Sequence, residues 1–65
     1  MAKTIQGARK VGSTICAYDA EGYCFILNHR FPHRDHPKLG ETLDRIRAAK
    51  VIDLRHWHKA RKGEC

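Results

Sequence analysis

No stretch of this 65-residue chain approaches the ~18 consecutive apolar residues that a membrane-spanning helix needs. The opening residues, MAKTIQGARKVGST, lack the apolar segment of a secretory signal, which predicts a cytoplasmic protein with no membrane partner. Cysteine is scarce and odd in number: three residues (Cys16, Cys24, Cys65) argue against a disulfide framework, and the expectation is reduced thiols. There is no glycine-rich phosphate loop, no nucleophile motif, no repeat and no low-complexity segment. Acidic residues are few. Seven Asp and Glu face 13 Lys and Arg, so the net charge is +6 with neutral histidines and the pI is near 9.7. That excess favours an anionic partner: nucleic acid first, an acidic protein surface second, anionic lipid third.

What is present suits one small domain. Apolar residues make up 42% and charged residues 31%, a globular balance. A chain this short buries only ~60% of the surface it exposes when unfolded, so its core needs support. A homodimer would supply some of it. Residues 1–12, basic and punctuated by Gly7 and Gly12, read as an N-terminal arm or short edge strand. Residues 13–62 read as a single α+β domain, and residues 63–65 as a frayed end.

The clearest local signal lies in residues 13–29. Two β-prone runs, STICAY and YCFILNH, flank Asp-Ala-Glu-Gly. Asp at the first turn position and Gly at the fourth predict a type I turn followed by a left-handed glycine. The implied register sets Tyr18 opposite Cys24, Ala17 opposite Phe25 and Cys16 opposite Ile26. Side chains alternate across a strand, so Ile15, Ala17, Tyr23, Phe25 and Leu27 form the core face. Thr14, Cys16, Tyr18, Cys24, Ile26 and Asn28 form the other. Pro32 and Pro37 then hold residues 30–40 in a loop.

Residues 40–50 read as a helix, with Leu39, Leu43, Ile46 and Ala49 in an apolar stripe. Residues 51–58, VIDLRHWH, fit neither period cleanly. The reading taken is that the helix continues to about residue 59. The predicted fold is thus a β-hairpin or three-stranded antiparallel sheet packed against one C-terminal helix. Its predicted core is Ile15, Ala17, Phe25, Leu27, Leu39, Leu43, Ile46 and Leu54.

The stretch NHRFPHRDHPKLG places three histidines in thirteen residues and raises the question of a metal or an active site. Cys16, Cys24, His29 and His33 occur in the order of a two-cysteine, two-histidine zinc finger. That module needs about two to four residues between its cysteines and about twelve before its first histidine. Here the cysteines are separated by seven residues and four precede His29. No metal or other cofactor is therefore assigned. His33, Asp35 and His36 beside Arg30 and Arg34 could do acid–base work on a phosphodiester, but nothing in their spacing sets a geometry, and no enzymatic role is assigned. The segment CFILNHRFPHRDHPKLGETLDRIRAAKVI resembles the strand, polar loop and helix that end small messenger-RNA-cleaving toxins of double-stranded-RNA-binding-like fold. The chain has no room for the helix that precedes those strands and no histidine in the early strand, so membership is not assigned.

Nucleic-acid binding is the function this sequence favours. The segment RHWHKARK holds Arg55, Lys59, Arg61 and Lys62 with Trp57 and His58 and no acid. Cations neutralise phosphates and release counterions, and an aromatic ring can stack on a base. On a helix, Arg55, Lys59 and Lys62 would share one face. Arg30, Arg34 and Lys38 add charge from the loop, and Arg9 and Lys10 from the arm. The expectation is a small non-enzymatic regulatory protein binding DNA or RNA through these residues. The alternative is a phage- or mobile-element-type inhibitor that binds an acidic surface on a host protein, such as a nucleic-acid enzyme, with Tyr18 and Ile26 in the contact.

Overall fold

The Asp19-Ala20-Glu21-Gly22 turn forms as the residues dictate. In the computed structural model, which describes residues 2–61, Asp19 Oδ1 accepts from the amides of Glu21 and Tyr23, both at 3.0 Å. The Gly22 amide donates to Asp19 O at 3.1 Å, and Gly22 takes φ 91°, where an L side chain would be strained. The turn joins β3 (Thr14–Tyr18) to β4 (Cys24–Leu27) in the predicted register, Cys16 to Ile26, Ala17 to Phe25 and Tyr18 to Cys24.

A second hairpin precedes it. Gly12, at φ 59°, and Ser13 make a two-residue turn between β2 (Gly7–Val11) and β3. β1 (Ala2–Thr4) comes before β2, so the segment read as a basic arm or short edge strand supplies two paired strands.

Helix α1 runs from Pro37 to Ala49, starting three residues before the predicted residue 40. Pro37 occupies the first turn, where its missing donor costs nothing, and His36 caps it by accepting the Lys38 amide at 3.1 Å. The helix does not continue to residue 59. Lys50 turns left-handed at φ 56° and its amide bonds Ile46 O at 2.8 Å. The β-branched pair Val51 and Ile52 then joins β5 (Val51–Asp53), antiparallel to β1. A 3-10 turn, Leu54–His56, capped by Asp53, leads into β6 (Trp57–Lys59), which pairs with β4.

This turn explains why residues 51–58 fit no single period. Ile52 and Trp57 are both buried although an odd number of positions apart, which one straight strand forbids. The 3-10 turn inserts the phase change that sends both inward.

The result is an α+β fold with a four-stranded antiparallel sheet in the order β2-β3-β4-β6 and a two-stranded sheet, β1-β5. β1 runs into β2 through Ile5 and Gln6, and β5 runs into β6 through the 3-10 turn, so the two sheets connect through the chain at both ends. Ile5, Ala8, Ile15, Ala17, Phe25, Ile52 and Trp57 fill the space they enclose, with Leu39 and Leu43 of α1 and Phe31 of the loop. Leu27, Ile46 and Leu54, expected in the core, are partly buried against it, and Ala49 is exposed. The helix lies along β2 and β3, and Arg47 Nε donates to Ala8 O at 2.8 Å. Among the described residues no helix is long and apolar enough to cross a membrane.

Candidate nucleic-acid interface

Alternation along the four strands divides the expected binding residues between two faces. Trp57 points inward. It is 8% exposed and belongs to the core cluster, so its indole is not presented to an external base. Lys59 follows two positions later, with its ammonium 4.0 Å from the centre of the Tyr23 ring. His58, between them, stands on the opposite, outer face. Its Nδ1 is 2.7 Å from the Asn28 carboxamide, within hydrogen-bond distance. The helical face of Arg55, Lys59 and Lys62 does not form: Arg55 is in the 3-10 turn, Lys59 is in a strand, and Lys62 lies outside the described residues, as do residues 63–65.

Arg55 is committed within its own turn. Its Nη2 reaches Asp53 Oδ2 at 2.8 Å and its Nε lies 3.1 Å from Oδ2 and 3.2 Å from Oδ1. This bond, with the Arg55 amide on the same carboxylate, holds Asp53 far below the usual carboxylate range. Arg34 and Lys38 are exposed at the loop and the helix start, and Arg61 is exposed just beyond β6.

The histidine-rich loop is held by its own rings. Phe31 is buried and its amide bonds Ser13 O at 2.8 Å. His29 meets Phe31 edge-on at 4.9 Å, and His36 lies 5.8 Å from Phe31. His33 Nδ1 accepts the Asp35 amide at 3.1 Å. Thr14 Oγ1 lies 3.1 Å from Leu27 O and 3.2 Å from His29 O, tying the loop to β3. Among the described residues no three His, Cys, Asp or Glu side chains converge on a point that could hold a metal.

Cys16 and Cys24 are diagonal neighbours on the outer face, 3% and 2% exposed. Both are disulfide-bonded, which overturns the expectation of reduced thiols.

The outer face gathers what the inner face does not. The register places Arg9, Cys16, Ile26 and His58 in one row across all four strands. Beside this row lies a depression of about 560 Å³. Buried Thr14 and Cys16, half-buried Ile26 and exposed Arg9, Arg30 and Val11 line it. Tyr18, 37% exposed, stands opposite Gly7 on the same face, and a side chain at Gly7 would run into the Tyr18 ring, at 2.7 Å from its Cζ. A second depression, about 410 Å³, lies by Lys3, Lys50, Asp19 and Glu21. Two cations there meet two carboxylates, and Lys3 Nζ is 3.5 Å from Asp19 Oδ2, so no net positive charge remains for an anion.

Arg30 and His58, expected to bind nucleic acid, thus share a face with Tyr18 and Ile26, expected to touch protein. Arg9, counted from the sequence only as added charge on an arm, is the cation that heads this row. The signal for it was Gly12-Ser13: read as a hairpin turn, it makes β2 a strand and sends Arg9 outward. No family model, curated protein or solved structure matches the chain.

Proposed function

We propose that this chain is a non-enzymatic regulatory protein that binds nucleic acid with the outer face of its four-stranded sheet. The observation that supports this is the pairing of exposed Arg9 and Arg30 at the border of one depression, with His58 ending the same row and no carboxylate among them. Guanidinium groups suit phosphate oxygens through a planar fork of donors. The net charge of +6 adds long-range attraction. A non-catalytic role agrees with histidines whose rings cap, stack or turn the loop that carries them.

Binding measured against salt tests the proposal. Affinity should fall steeply as salt rises. Replacing Arg9 and Arg30 together by Ala should flatten the slope by ~0.7 per lost contact on single strands or ~0.9 on duplex DNA. No binding to any nucleic acid at low salt would refute it. The exposed Tyr18 and Val11 on this face favour one alternative, an inhibitor that engages an acidic host-protein surface. A stoichiometric complex with such a protein that survives nuclease treatment, in the absence of nucleic-acid binding, would establish that reading instead.

A further inference from the structure

We infer that the nucleic acid taken by this face is single-stranded, with one base seated over Ile26 between Arg9 and Arg30. The inference rests on the nucleic-acid reading above and deepens it. A duplex presents phosphates to a protein and hides the faces of its bases. A flat cationic surface or a basic helix would be enough to hold it. Among the described residues the long helix α1 is no uniformly basic surface: it exposes Glu41 and Asp44 among Lys38, Arg45 and Arg47.

The outer face is instead concave and partly apolar. At about 560 Å³ the depression falls within the ~300–1,000 Å³ range of sites that enclose a small ring system. Ile26 and Val11 offer apolar surface for one face of a base, and guanidinium planes stack on bases as well as pairing with phosphates. Apolar surface of this kind adds nothing to phosphate binding alone. It becomes useful when an unpaired base leaves water with its phosphates held on either side. The cations and the apolar side chains that line the same depression thus match the two chemistries of one nucleotide.

The experiment compares four fluorescent probes against the full chain at about 50 mM salt. They are an oligothymidine, an abasic strand of equal length and charge, a duplex, and a polyglutamate peptide. The intact strand should bind at least about 5-fold tighter than the abasic strand, the lower end of one stacked base, and tighter than the duplex. Ile26→Ser should bring the intact-to-abasic ratio toward one, with far-ultraviolet circular dichroism showing that the variant is folded. A ratio of one in the native chain, or a preference for duplex, overturns the inference and leaves the nucleic-acid reading standing. Equal binding of all four probes would mark a general polyanion or acidic-protein surface and overturn it too. Failure of every nucleic-acid probe to bind refutes both readings.

Discussion

Trp57 is the residue whose role burial decides most clearly. In a basic segment an indole reads equally well as a stacking platform or a core anchor, and 8% exposure among Ile5, Ala8, Phe25 and Ile52 makes it the anchor. As the chain's one tryptophan, it reports on itself. Its fluorescence should be blue-shifted, resist acrylamide, and stay unchanged when nucleic acid binds. Strong quenching by a bound strand would show that the ring meets a base. Trp57→Ala should cost about 3–5 kcal/mol, against a typical total stability of about 5–15 kcal/mol. The variant should then unfold at a much lower urea concentration than the native chain, as read by far-ultraviolet circular dichroism. Asp19 also acts singly. Burial pushes its carboxyl up, but the Tyr23 and Glu21 amides and the Lys3 ammonium together outweigh this and hold it below the ordinary value of 3.8. Its contribution is therefore present above pH 3.8 and lost as pH falls through the lowered value. Asp19→Asn keeps a carbonyl acceptor but loses the charge facing Lys3, so stability should fall less steeply on acidification than in the native chain. An unchanged acid limb would show that Asp19 does not set it.

At the scale of elements, the end of the helix shapes the fold. Lys50 adopts φ 56°, a conformation that costs an L residue roughly 1 kcal/mol, and its carbonyl accepts the Ile5 amide at 2.9 Å. One residue thus stops α1 and starts the pairing of β5 with β1. Lys50→Gly should stabilise the chain by up to about 1 kcal/mol in urea unfolding, and Lys50→Val should destabilise it. Equal midpoints for both would mean that the left-handed cap is not kept in solution. The β3–β4 hairpin, including its register and its two faces, was legible because the turn residues and the alternation agree. The β2–β3 hairpin was equally written in Gly12-Ser13, but basic Arg9 and Lys10 disguised an exposed strand as an arm. Residues 51–58 were not legible: a 3-10 turn resets the phase, and no local pattern announces it.

For the whole molecule, the question is how 65 residues hold a core. Two sheets joined at both ends surround it, α1 and Phe31 cover it, and two buried cysteines are disulfide-bonded. Reduction should lower the unfolding free energy by about 2–4 kcal/mol. Cys16 and Cys24 should resist alkylation in the folded, unreduced protein and react only after reduction and unfolding, as mass spectrometry would show. Ready labelling without reductant would contradict this. The candidate site also belongs to this scale. Arg9 and Arg30 are distant in sequence, and they share a border because Val11 and Thr14 pair and the Phe31 amide draws the loop back to Ser13.

Local chemistry in the sequence determined the basic charge, the Asp19–Gly22 turn, the register of β3 on β4, the side of that hairpin facing the core, and most of the helix. Each depends on residues near one another in the chain, where turn chemistry and periodicity act. Tertiary structure decided the fate of Trp57 and Arg55, the pairing of the N-terminal segment, the state of the cysteines and the meeting of Arg9 with Arg30. Those outcomes depend on long-range pairing and burial. A local pattern states which side chains share a strand face, but not which distant strand will cover them.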